Sequence, residues 1–159
     1  MRVRDAEEAL FIACEMEKRA IRLYERALTV FADGPCQEAI RAILTDERNH
    51  LKQFSELCLE SPDGERARLL AAQAAGVLFP GGLVEAQRKG AFASVLGLYQ
   101  YAAEEEREAA ARYGAFASQL TGPASAAFCR IETEETGHLR KLSDMIRALS
   151  DEAENGPEK

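Results

Sequence analysis

A chain of 159 residues, 47% apolar and 30% charged, is long enough to bury one substantial core and predicts a single globular domain. Its net charge of −7, with no stretch that gathers Lys and Arg, argues against a phosphate-neutralising nucleic-acid surface. Acidic excess suits a cytosolic protein or a cation binder without choosing between them.

The opening "MRVRDAEEALFIACEMEKR" meets acidic residues before any apolar run can serve as an export signal, so a cytoplasmic location is expected. Apolar residues at helical spacing then predict a first helix over 5–32, with Leu10, Cys14, Ile21, Tyr24 and Leu28 on one stripe and a stop at "ADGP". A second follows over 36–60, carrying Ile40, Ile43, Leu44, Leu51, Phe54 and Leu57 and ending at "SPDG". Residues 61–90 are too many for a tight turn and read as a crossover with a short helix over 67–79. The most apolar stretch, 69–84, is broken by Gln73, Pro80 and three glycines and falls short of the roughly 20 residues of a membrane span. Leu78, Phe79, Leu83 and Val84 within it are expected to cover the core or to form a dimer contact.

A third helix is predicted over 90–120, through Tyr99, Ala102, Tyr113, Phe116 and Leu120, and stops at "TGP". The fourth, 123–150, carries Phe128, Ile131, Leu139, Leu142, Met145, Ile146 and Leu149. No segment alternates with period two, so the fold is all-α: two antiparallel helical hairpins joined by a long crossover, one four-helix bundle domain over 1–150. The tail, 151–159, is too polar to pack and is expected to be disordered.

The hairpins look like copies of one another. An offset of 89 aligns Glu17-Lys18 with Glu106-Arg107 and Tyr24 with Tyr113, and an offset of 88 aligns "TDERNHL" with "TEETGHL", which contain the only two histidines. In each phrase a Glu precedes the His by three positions, on the apolar face of its helix: Glu47 with His50, Glu135 with His138. Glu17 and Glu106 interrupt the apolar stripes of the other two helices. Four carboxylates in one core repel one another and are costly to desolvate, so cations are required, and inward-facing Lys or Arg are too few to supply them. Two divalent metals neutralise the carboxylates and use both imidazoles; oxygen-rich sites with one nitrogen per metal favour iron or manganese, and zinc can substitute.

Some details stay open at this level. Glu105 in "AEEEREA" is the inward residue if the third helix is rotated, with Glu108 one turn on; spacing to Tyr113 and the apolar stripe favour Glu106. Tyr24 and Tyr113 are either hydrogen-bond donors to the ligand glutamates or core aromatics satisfied elsewhere. Glu134, off the stripe, reads as a solvated residue; Gly137 costs about 1 kcal/mol relative to Ala inside the helix, and whether it admits a close neighbour stays open. The four cysteines, at 14, 36, 58 and 129, have no metal-finger or Cys-x-x-Cys spacing and read as reduced thiols, three of them on apolar faces, with Cys14 one turn from Glu17.

In "EKRAIRLY", "DERNH", "EREAAARY" and "EETGH" the chain resembles, over 5–150, the rubrerythrin-like branch of the ferritin-like superfamily. The resemblance implies a four-helix bundle holding two iron ions on Glu17, Glu47, His50, Glu106, Glu135 and His138, with chemistry toward peroxide, dioxygen or ferrous iron. A homodimer is expected, with the crossover's apolar residues as its contact. Rubrerythrins proper carry a rubredoxin domain with four iron-binding cysteines, a set these residues lack, so an external donor such as a rubredoxin-type protein is expected. They also place a further carboxylate one turn after the third-helix ligand, where this chain has Ala109. Peroxide or dioxygen reduction is the leading expectation; iron oxidation and storage, which needs a large closed oligomer, and a purely structural metal pair are the alternatives.

Overall fold

The first helix is fixed at its start by Asp5, whose carboxylate accepts the Glu8 amide at 2.9 Å, while Glu7 and Glu8 lie at the positive end of the helix dipole. The computed structural model describes residues 2–58 and 62–154, with side chains to 152. Among them are six helices and no strand: α1 (Ala6–Val30), α2 (Gln37–Leu57), α3 (Gly64–Val77), α4 (Gly82–Arg88), α5 (Val95–Ala117) and α6 (Gly122–Glu154). The protein is all-α. The long helices pack α1 on α2 and α5 on α6, and the two pairs meet where α1 touches α5 and α2 touches α6.

Each long helix buries one stripe. Phe54 of α2, Tyr113 and Phe116 of α5 and Phe128 of α6 form an aromatic knot with ring centroids 4.9–5.8 Å apart, all fully buried. Burial on that scale contributes about 1.5–3 kcal/mol per ring. The knot sits on the same helix faces as the acidic residues and closes the core beside them.

The crossover departs from expectation. In place of one short helix over 67–79 there are two, α3 beginning earlier at Gly64 and α4 of seven residues, separated by a turn at 78–81. The break follows from backbone conformation: Phe79, Gly81 and Gly82 have φ of 48°, 75° and 61°. Phe79 is the one non-glycine residue with positive φ among the described residues, a conformation that costs an L-residue about 1–2 kcal/mol. Three hydrogen bonds hold it: Arg19 donates to the carbonyls of Leu78 (2.8 Å) and Phe79 (2.5 Å), and the Phe79 amide donates to Glu105 Oε2 at 2.5 Å. Leu78 and Phe79 are buried, whereas Leu83 and Val84 are exposed. The stretch Gly64–Arg88 has the length and apolar composition to cross a membrane, yet it is divided here by this turn.

Two other boundaries move. α5 starts at Val95 rather than near 90, because Gly90 at φ 86° turns the chain and Ser94 caps the helix by accepting the Gly97 amide at 3.0 Å. α6 runs to Glu154, four residues into the stretch expected to be disordered; 155–159 lie outside the described residues. Nor does Gly137 admit a neighbour: a Cβ built there meets nothing within 4 Å. Gly137→Ala is therefore expected to stabilise the protein by about 1 kcal/mol, read as a higher midpoint in urea; a lower midpoint would mean that the glycine serves packing after all.

Candidate metal centre

Glu17 projects from α1, Glu47 and His50 from α2, Glu106 from α5, and Glu135 and His138 from α6, all at most 4% exposed. The side chains converge in two groups of four. One comprises Glu17, Glu47, His50 and Glu135, the other Glu47, Glu106, Glu135 and His138; within each group the donor atoms all lie within 4.8 Å of one another. Glu47 and Glu135 belong to both groups.

The donor chemistry fits a cation. Glu17 Oε2, Glu47 Oε1 and His50 Nδ1 are buried with no hydrogen-bond partner, and all three face the cluster. His50 Nδ1 lies 3.2 Å from Glu135 Oε1 and 4.0 Å from Glu17 Oε2; His138 Nδ1 lies 3.0 Å from Glu135, 3.3 Å from Glu47 and 3.7 Å from Glu106. Both rings turn Nδ1 inward. Their outer nitrogens are taken up across the helix pair: His50 Nε2 is 2.8 Å from Glu134 Oε2 of α6, and His138 Nε2 is 3.1 Å from Asp46 Oδ2 of α2. A carboxylate on Nε2–H fixes the tautomer that leaves the Nδ1 lone pair free for a metal.

Glu134 is thus not merely solvated. It and Asp46, each about 45% exposed or less, hold the opposite histidine. Asp46 was legible in principle, since the offset of 88 that pairs His50 with His138 also pairs Asp46 with Glu134.

The tyrosines cross in the same manner. Tyr113 of α5 donates to Glu17 Oε1 of α1 at 2.5 Å, and Tyr24 of α1 donates to Glu106 Oε1 of α5. Both rings are fully buried, and each hydroxyl orients the outer carboxylate of the other helix pair. The register of α5 places Glu106 in the cluster. Glu105, also buried, accepts the Phe79 amide instead of joining either group, and Glu108 faces solvent, so the alternative Glu105/Glu108 ligand pair is not formed. Successive helical positions differ by about 100°, which is why one residue decides between cluster and crossover.

Without metal, protons balance the charge. Burial first, then the charges of Glu135 and Glu106, pushes Glu47 up to about 8; burial and then Glu106 push Glu135 up to about 7. Burial, reinforced by Glu47, also raises Glu17 well above the carboxylate range. For the histidines burial acts downward, but Glu135 outweighs it and raises His50 to about 9, and Glu106, Glu135 and Glu47 together raise His138. Glu106 alone goes the other way: burial raises it, but hydrogen bonding and charge from His138 more than offset that and hold it below its ordinary value.

Groups raised in the folded state bind more protons there than in the unfolded chain, so their stabilisation is present at acidic pH and is lost as pH climbs through the folded values. The metal-free protein is therefore expected to lose melting temperature steadily between about pH 6 and about pH 9. A flat or rising profile over that window in chelator-treated protein would contradict the proton-balanced cluster.

The helices and the cluster together define an all-helical protein with a buried, duplicated Glu/His centre that can hold a metal ion. No family model, curated protein or solved structure matches the chain.

Proposed function

We propose that this chain is a ferritin-like four-helix bundle of rubrerythrin type that binds two iron ions and reduces hydrogen peroxide or dioxygen with electrons from an external donor. The observation that carries the proposal is the sharing of Glu47 and Glu135 between two groups that otherwise hold one Glu and one inward-turned imidazole each. Two helices that give a single Glu and two that give Glu-x-x-His form the ligand set of dinuclear carboxylate bundles. Bound there, a pair of ferrous ions supplies the two electrons that, with two protons, convert hydrogen peroxide to two waters.

The chain's own groups have distinct tasks in this proposal. Glu47 and Glu135 would serve both ions, and Glu17 and Glu106 would each hold one, aimed by Tyr113 and Tyr24. Glu134 and Asp46 take the outer Nε2 atoms of the two histidines and so hold Nδ1 inward. Ala109, buried beside Glu106, offers no donor where the resemblance places an extra carboxylate. Manganese suits the same donors, and zinc can replace either metal. A rubredoxin-type donor, a cytoplasmic location and a homodimer complete the proposal.

Anaerobic, iron-loaded protein is expected to develop near-ultraviolet absorption within one turnover when mixed with stoichiometric peroxide. An unchanged spectrum would favour a second reading, in which the metals only tie the two helix pairs together; the lack of room for even one water beside the cluster supports that alternative.

A further inference from the structure

Two voids meet at Phe79. The outer one, about 140 Å³, opens at the surface between α1 and the crossover and is lined by Arg19, Arg22, Leu23, Phe79, Gly82 and Leu83. The inner one touches the four cluster glutamates, Ala109 and Phe79, and has no room for a water molecule. Of the residues on either lining, Phe79 is the one common to both.

The geometry points to Phe79 as a gate that decides by size which oxidants reach the metal centre, an inference that rests on the proposed di-metal function. Its backbone argues that the side chain is wanted at this spot. At φ 48° a glycine or asparagine fits without strain, yet the position holds an aromatic ring that is 3% exposed. The turn is fastened from both sides, by Arg19 of α1, two residues after Glu17, and by Glu105 of α5, one residue before Glu106. Those attachments tie the gate to the helices that carry the two outer glutamates.

With the turn closed, nothing as large as water fits beside the cluster, so a reactant enters only when the ring or its turn swings toward the outer void. A molecule the size of peroxide needs a small excursion. An aralkyl hydroperoxide needs the whole ring displaced toward the outer void, while the backbone hydrogen bonds to Arg19 and Glu105 hold the turn in place. Glu105, read from sequence as a possible ligand, here positions the gate.

The test compares wild type with Phe79→Gly, a substitution suited to positive φ, in cobalt-loaded protein, following the rate at which azide and the bulkier benzoate perturb the visible cobalt bands. A parallel measurement follows oxidation of the iron-loaded protein by hydrogen peroxide and by cumene hydroperoxide. Phe79→Gly is expected to raise the benzoate and cumene hydroperoxide rates about tenfold relative to those of the small reagents. Equal ratios in the two proteins, with cobalt stoichiometry intact, would overturn the gate while leaving the metal centre standing. Should Phe79→Gly fail to fold, Leu83→Trp at the outer mouth is expected to slow benzoate about tenfold, and no slowing would overturn the route. A wild-type chain that binds no cobalt would overturn the metal proposal itself, and this inference with it.

Discussion

Removing metal with a chelator is expected to lower the melting temperature by roughly 15–30 °C at neutral pH. Each ion present at about 1,000 times its dissociation constant stabilises the folded state by about 4 kcal/mol, and for a chain of this size each kcal/mol shifts the midpoint by about 2–4 °C. The structure gives a reason for a loss near the upper end. Glu17, Glu47, Glu106 and Glu135 come from four different helices, and without a cation their mutual repulsion is offset by protons, the two histidines and the hydroxyls of Tyr24 and Tyr113. The pH dependence supplies an internal check, since metal binding displaces protons and strengthens as pH rises whereas the metal-free protein weakens. The gap between loaded and stripped protein should widen toward alkaline pH. An equal midpoint with and without chelator, in protein shown to have bound metal, would contradict the prediction.

Glu47→Gln is expected to act in opposite directions on the two forms. Because Glu47 lies in both four-residue groups, replacing it is expected to weaken both metal positions, each by more than the 10–100-fold that outer partners typically command. Glu17→Gln touches one group only and is expected to leave one tight site of two, a stoichiometry that calorimetric titration with cobalt reads directly. In metal-free protein above about pH 8, where Glu47 ionises against Glu135 and Glu106, the same Glu47→Gln removes that repulsion and is expected to raise the melting temperature. Glu135→Gln should behave as Glu47→Gln does. If Glu47→Gln kept one tight site, or if Glu17→Gln lost both, the sharing of the two glutamates would be wrong.

Much of this arrangement was legible in the chain because its signals are periodic. Glu47, His50, Glu135 and His138 interrupt apolar stripes at three-residue spacing, and a helix converts that spacing into a shared face without help from tertiary structure. Glu106 was harder. Three consecutive glutamates at 104–106 make neighbouring rotations of α5 nearly equivalent by composition, and only packing against α1 and α6 selects one. The partners of Tyr24 and Tyr113 were out of reach for a different reason: both hydrogen bonds cross between helix pairs, joining residues 82 and 96 positions apart. α4 escaped notice because seven residues span too few turns to show a period, and the turn before it depends on Phe79 accepting a conformation that its side chain disfavours. Asp46 and Glu134 were visible as an aligned pair, but half-exposed acidic residues carry little weight until their histidine partners are seen.

The way the two groups share their glutamates also bears on how such a protein can arise. Each group draws three donors from one helix pair and its fourth from the other: Glu17, Glu47 and His50 are completed by Glu135, while Glu106, Glu135 and His138 are completed by Glu47. The tyrosines and the outer carboxylates cross in the same sense. Neither half-chain contains a finished site, yet each contains what the other lacks. A single ancestral hairpin could therefore have been competent only as a self-complementary pair, with gene fusion afterwards making that association permanent and freeing each copy to diverge.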